Sequence, residues 1–137
     1  MAVAPLPNVR RVVEYALTEI PAEKMWLGIP NYGYDWPLPY VSGETRAETL
    51  SPAEALALAR RTGSQIEYDP DSMAPYFYYT ENGVPHVVWF QDARSADSLA
   101  RLANEYSLGG ISIWNVMRRF PSLWQVLSSL YAIRKIP

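Results

Sequence analysis

Apolar residues at positions 9, 12, 13, 16, 17 and 20 recur at the spacing of one helix face, so the chain opens on an amphipathic helix after "PN", with Asn8 as its N-cap and Pro21 beyond its end. "MWLGIPNY" then reads as a buried strand stopped by glycine and aromatic residues. "SPAE" opens a second helix: Ser51 as N-cap, Pro52 at the first helical position and Glu54 reaching back make a capping box, and Gly63 closes the helix. "SQIEYD", "APYFYYTENG" and "PHVVWFQD" are three short strands, the last two joined by a hairpin at "ENG". Leu99, Leu102, Ala103 and Tyr106 mark a third helix with Ser95 as its cap, and "LGGISIWNV" is the next strand. There Ile111 and Ile113 share one face, Ser112 and Trp114 the other, as in a barrel strand with helices outside and functional groups inside. A fourth helix carrying Leu123, Val126, Leu127, Leu130 and Tyr131 follows Pro121.

The order is therefore helix, strand, a small α+β insertion, helix, strand, helix. A helix crossing into a strand is the mark of an α/β protein, and two βα units look like a section of a (β/α)₈ barrel, in which function gathers at the carboxyl ends of the strands. A whole barrel takes about 250 residues, and this chain has 137. The insertion is expected to close locally around Leu56, Ile66, Phe77 and Val88.

Composition narrows the chemistry. Twelve basic and fourteen acidic side chains give a net charge of −2, which supplies no broad pull toward nucleic acid or anionic membrane. Without cysteine there is no disulfide framework or thiolate metal site, and His86 is the only histidine, so no metal or other cofactor is expected. No apolar run reaches the length of a membrane span, and the start lacks the pattern of a signal peptide. Five Trp, ten Tyr and three Phe are unusual because many lie in turn-rich segments, where aromatics either form a recognition surface or cover a core.

"LGIPNYGYDW", "VPHVVWFQDARS" and "LGGISIWNV" with "RRFPSLW" occur in an order that resembles the final third of family-18 glycoside hydrolases, in the branch of spore-cortex and cell-wall N-acetylglucosaminidases. The resemblance covers essentially the whole chain. It implies a partial TIM barrel: residues 1–40 and 92–137 carry strands seven and eight, and 41–91 form the insertion lobe. It also implies that the parent hydrolyses β-1,4-linked N-acetylglucosamine polymers such as peptidoglycan or chitin, and that such enzymes are secreted, cell-wall or spore associated. The family's Asp-x-x-Asp-x-Asp-x-Glu sequence does not occur here, and "EYDPDS" has the wrong spacing to replace it. The family's Glu is the general acid in a substrate-assisted mechanism, so this chain alone is expected to hold sugar without cleaving it.

Five residues are the candidate glycan contacts. Trp114 matches the family's eighth-strand Trp, which floors the subsite of the sugar to be cleaved; on spacing alone it is equally a core residue. Tyr32 matches the aromatic of the seventh-strand turn, and Tyr34 stands where many chitinases carry Arg. Asp35 either accepts from sugar hydroxyls or makes a local turn bond, and Trp36 either extends the cleft wall or packs the lobe. Asp92 and Arg94 are expected to fix the start of the third helix, Gln91 replaces a common Glu, and His86 reads as a surface imidazole. One alternating pair among Tyr76, Phe77, Tyr78 and Tyr79 is expected to pack the lobe and the other to face the cleft. The partners so implied are an N-acetylglucosamine-containing glycan and, to cover open barrel edges, a missing amino-terminal barrel part or a second copy. The alternative is a non-catalytic glycan-binding or assembly module.

Overall fold

The structure, a computed structural model, describes residues 1–133 of the chain. Residues 134–137, the end of the expected second barrel stretch, lie outside the described residues. The fold is α/β. Strands β1 (Trp26–Pro30) and β7 (Gly110–Trp114) form a parallel two-stranded sheet, while β2 (Gly33–Pro37), β3 (Glu48–Leu50), β4 (Glu67–Asp69), β5 (Ala74–Glu81) and β6 (Val84–Trp89) form an antiparallel sheet in the order β3-β2-β6-β5-β4. Helices α1 (Leu6–Ala16), α3 (Ala93–Glu105) and α4 (Pro121–Leu130) accompany the parallel pair, and α2 (Pro52–Thr62) packs on the antiparallel sheet. Peptide bonds Leu38–Pro39 and Trp114–Asn115 are cis.

Period-two alternation divides the parallel pair into two faces. Leu27 and Ile29 of β1 and Ile111 and Ile113 of β7 turn toward α3, where they meet Val13 of α1, Leu99 and Leu102 of α3, and Leu123 and Leu127 of α4. The opposite face, bearing Trp26, Gly28, Ser112 and Trp114, is open to solvent.

The antiparallel sheet has its own core. Phe77, Tyr79 and Val88 pack with Phe90 and Leu50 against Ala55, Leu58 and Ala59 of α2, with Ile66 at the margin. The capping box at Ser51 and Glu54 forms, and Gly63 ends α2 in the left-handed region at φ 67°. Asn82 and Gly83, both at positive φ, make the β5–β6 turn that the hairpin signal requires.

Four local expectations are corrected. Helix α1 starts two residues before Asn8: Pro5 occupies the cap, Pro7 lies in the first turn, and proline's fixed φ sets the chain for the helix there. Asn8 instead accepts from Arg11 Nη2 at 2.5 Å. Asp92, not Ser95, caps α3, and Ser95 sits three residues on as the reciprocal member of the capping box. Leu56 is 49 % exposed while Leu58 is buried, because the turn of α2 facing the sheet is the one carrying Ala55, Leu58 and Ala59. The antiparallel sheet also recruits Gly33–Pro37, ahead of Val41, since β2 finds antiparallel partners in β3 and β6 rather than extending β1.

Candidate functional site

The carboxyl end of β1 and the whole of β2 place the first group of aromatics. Tyr34 pairs with Trp89, and Trp89 with Tyr76; Trp36 pairs with Val87, and Val87 with Tyr78. These residues therefore share one face of the antiparallel sheet, opposite the face that α2 covers. Their rings are in contact: Tyr32–Tyr34 centroids lie 5.6 Å apart, Tyr34–Trp36 5.7 Å, Trp36–Tyr40 5.8 Å and Tyr76–Trp89 4.6 Å, the last stacked. The Trp36 indole N–H is buried without a hydrogen-bond partner among the described residues. Burial and then the neighbouring Tyr34 raise the Tyr32 phenol above its ordinary range, so it stays a neutral donor at physiological pH.

Gly33 allows this wall to form. A Cβ there would lie 2.5 Å from the Trp89 carbonyl oxygen and 2.6 Å from Phe90 Cβ, so no larger residue lets β2 approach β6. Of the Tyr76–Tyr79 run, Phe77 and Tyr79 are buried in the lobe, and Tyr76 and Tyr78 lie on the aromatic face.

Asp35 lies behind the wall. Its carboxylate accepts from Tyr79 Oη at 2.5 Å and from His86 Nδ1 at 2.9 Å, which fixes the imidazole hydrogen on Nδ1. It is a strand residue paired with Val88 and Glu48, not a turn residue, and His86 is half-buried against it rather than a surface imidazole. Burial and the Asp35 carboxylate push the Tyr79 phenol well above the usual tyrosine range. The structure thus brings Tyr32, Tyr34 and Trp36 together and directs Asp35 to the other side.

Trp114 ends β7 beside Pro30 and is 70 % exposed, so it is not a core residue. A bracket that the sequence did not reveal holds the loop after it. Asn31, 2 % exposed, donates its backbone N–H to the Trp114 carbonyl at 3.1 Å, and its side-chain Oδ1 accepts from Asn115 N at 2.9 Å. Its Nδ2 donates to the Asn115 carbonyl and, at 3.1 Å, to the Arg118 carbonyl. The Arg118 guanidinium then lies 5.8 Å from the Tyr32 ring centroid and donates to Thr49 Oγ1 at 3.0 Å, joining the loop to the wall.

Asp92 accepts from the N–H groups of Arg94 and Ser95 and from Arg94 Nε, which makes both residues structural at the start of α3. Gln91 is buried, and its amide has no partner among the described residues; it borders a cavity of about 120 Å³ shared with Leu56, Arg119 and Phe120. Among the described residues no group of three or more His, Asp or Glu is placed to hold a metal ion, and no helix is long and apolar enough to cross a membrane.

The model of "Glycosyl hydrolases family 18" matches residues 2–118. The chain belongs to this family. The cortical fragment-lytic enzyme of Bacillus subtilis (strain 168) is 44 % identical over 135 residues, covering 98 % of this chain and 31 % of that enzyme. Among solved structures, the Bacillus megaterium QM B1551 spore cortex-lytic enzyme SleL superposes with a TM-score of 0.94 at 40 % identity, covering all of this chain and 32 % of that one. A chitinase from Chromobacterium violaceum ATCC 12472 follows with a TM-score of 0.87 at 32 % identity, covering 98 % of this chain and 41 % of that one. The chain spans about a third of the length of the curated relatives it matches at high identity.

Proposed function

We propose that this chain supplies the floor and rim of a glycan cleft in a family-18 glycosidase acting on β-1,4-linked N-acetylglucosamine polymers, peptidoglycan or chitin. In this reading β1 and β7 are the last two strands of a (β/α)₈ barrel, residues 1–40 and 92–137 belong to the barrel segment, and 41–91 form an insertion lobe whose sheet reaches back to Gly33. Trp114 offers its ring face to a pyranose, Tyr32, Tyr34 and Trp36 line the wall beside it, and Asp35 acts from behind by holding β2. The observation that carries the reading is an exposed indole at the carboxyl end of a parallel strand, beside a contiguous ladder of aromatic rings on the sheet face away from α2. Flat apolar faces stack on sugar C–H groups, while the Tyr32 hydroxyl remains for the sugar hydroxyls.

The chain on its own binds without turnover, because the sequence has no Asp-x-x-Asp-x-Asp-x-Glu to protonate a leaving oxygen. Titration with chitotetraose, followed by tryptophan fluorescence and calorimetry, tests this. Saturable binding that Trp114→Ala or Tyr32→Ala abolishes, with no reducing ends released, supports it. Release of reducing ends above a control carrying both Tyr32→Ala and Trp114→Ala would make the chain an enzyme in its own right, and no binding at millimolar sugar would remove the cleft reading. The same aromatic face without catalytic carboxylates also suits the second reading, a non-catalytic glycan-binding or assembly module, which turnover by a chain carrying the rest of the barrel would exclude.

The partner that completes the molecule is, on this reading, the amino-terminal barrel part or a second copy. Trp26, Val116, Met117 and Trp124 are between 50 and 87 % exposed, and among the described residues the two-stranded β1–β7 sheet has two unpaired edges. Burying a few hundred Å² of such surface gains several kcal/mol at about 25 cal/mol per Å². Light scattering at micromolar concentration should show a dimer or larger species; a clean monomer that binds no hydrophobic dye would refute this.

A further inference from the structure

We infer that Asn31 is a positioning residue that sets the Trp114 indole and the Arg118 guanidinium against the aromatic wall. The inference rests on the cleft reading above and concerns a residue that is buried behind the exposed rings. The loop from Asn115 to Arg118 has almost nothing else to hold it. Val116 is 76 % and Met117 87 % exposed, and the loop borders an open cavity of about 440 Å³ lined by Asn31 as well as by Val116, Met117, Arg118, Arg119 and Trp124. Within the loop, Asn115 Oδ1 accepts from Met117 N and the Asn115 carbonyl from Arg118 N, which closes the turn on itself without attaching it to the body of the protein. Attachment comes at the exposed tip from the Arg118 side chain on Thr49 Oγ1, and for the loop's backbone from Asn31. Its main chain continues the β1–β7 ladder by one bond to the Trp114 carbonyl, and its amide both accepts from and donates to the backbone of Asn115 while reaching the Arg118 carbonyl.

Only a primary amide at this reach meets all of these demands. Aspartate keeps the acceptor for Asn115 N but turns a second oxygen lone pair toward two carbonyl oxygens, and leucine of similar size strips Asn115 N and the Arg118 carbonyl of their Asn31 partner and leaves the Asn115 carbonyl with Arg118 N alone. The chemistry gives the proposal a signature that loss of stability does not have. In Asn31→Asp, the protonated carboxyl carries one O–H donor and one carbonyl acceptor, and so restores a donor and an acceptor to Asn115. Two carbonyls and burial raise the pKa of such a carboxyl; the Arg118 and Arg119 guanidiniums on the same cavity pull the other way, but Arg118 is turned to Thr49 Oγ1, so the restoration falls within reach of mild acid.

The test is chitotetraose affinity and the ¹⁹F spectrum of the full chain labelled with 5-fluorotryptophan, the Trp114 resonance being assigned with Trp114→Phe. At pH 7.5, Asn31→Asp should weaken binding about tenfold, the scale of one lost buried hydrogen bond, and should move or broaden the Trp114 resonance while leaving Trp89 in place. At pH 4.5 both should return to within about twofold of the wild type measured at the same pH, whereas Asn31→Leu should stay impaired at both. Asn31→Ser buries no charge and admits water, and it carries the fluorine measurement if Asn31→Asp does not fold. The inference is overturned if Asn31→Asp or Asn31→Ser leaves the Trp114 resonance unmoved, or if Asn31→Asp loses affinity and acid restores none of it. A wild-type chain that binds no chitotetraose would refute the cleft reading alone, because the fluorine spectrum still decides whether Asn31 places Trp114.

Discussion

Replacing Asp92 by alanine removes the cap of α3, the helix that both parts of the core beside the parallel sheet use. The Asp92 carboxylate accepts from Arg94 N at 2.9 Å, Ser95 N at 3.0 Å and Arg94 Nε at 2.8 Å. Loss of an N-cap side chain costs about 0.5–2 kcal/mol, and an acidic group at a helix amino terminus adds about 0.3–1 kcal/mol. The reverse half of the box survives, because Asp92 N still donates to Ser95 Oγ, 2.8 Å away. The expected cost is therefore about 1.5–2 kcal/mol, or a fall in Tm of about 4–8 °C for a chain of this size. Asp92→Asn keeps the acceptor and should cost less than half as much. Arg94→Ala breaks an exposed ion pair and the contact of its guanidinium with the Tyr68 ring, 4.1 Å away, together worth about 0.5–1 kcal/mol. Urea unfolding at pH 7, with an unchanged m-value as the sign of a pure stability effect, ranks the three variants. The reasoning fails if Asp92→Ala lies within about 0.3 kcal/mol of wild type, or if it abolishes glycan binding at full stability, which would make Asp92 a site residue instead of a cap.

Two further outcomes follow from the lobe. Leu58→Ala should cost about 2–4 kcal/mol in urea unfolding and Leu56→Ala under about 1 kcal/mol, since the first is buried against Phe77 and Val88 and the second is half-exposed; equal costs would mean that the other face of α2 is turned to the sheet. Tyr79 has a folded pKa above its unfolded value, so its contribution is fully present below pH about 10 and is lost as pH rises beyond that. Tyr79→Phe should accordingly lower stability at pH 7 yet flatten its decline above pH about 10, and an unaltered alkaline limb would contradict the buried Tyr79–Asp35 bond.

Signals carried within a few residues were legible in the sequence. Ser51, Pro52 and Glu54 specify their helix start without help from the rest of the chain, Asn82-Gly83 specifies its turn, and the alternation in β7 separates Ile111 and Ile113 from Ser112 and Trp114. What depends on distant partners was not. Gly33–Pro37 reads as the turn that stops β1 until β6 arrives from about fifty residues on, and Glu48–Leu50 is too short to show a period. Asp92 and Ser95 are both capping types three residues apart, and only their mutual bonds distinguish cap from partner. In "EALALARR" two leucines alternate, and which one is buried is decided by the sheet below. The site aromatics were legible by residue type, whereas Asn31 before an aromatic looks like any turn residue, and the 84 positions separating it from Asn115 hide its role.

The side chains behind the wall explain why the wall can stay uncovered. β2 pairs with β3 from Gly33 to Asp35 and with β6 from Tyr34 to Pro37, a short purchase for a strand that carries a row of rings on the face away from α2. Because side chains alternate, a slip of one residue would turn Tyr34 and Trp36 toward α2 and bring Asp35 to the aromatic face. The hydrophobic pattern resists this weakly, since aromatics could also be buried beneath α2. The polar arrangement resists it strongly: in the slipped register the Asp35 carboxylate would lose Tyr79 and His86, and the Tyr79 hydroxyl would keep only its longer contact with His86 Nδ1, at 3.3 Å. Asp35, Tyr79 and His86, on three different strands, thus fix β2 in the one register that presents its rings, and the same period of two that builds the wall places its fastening on the reverse side.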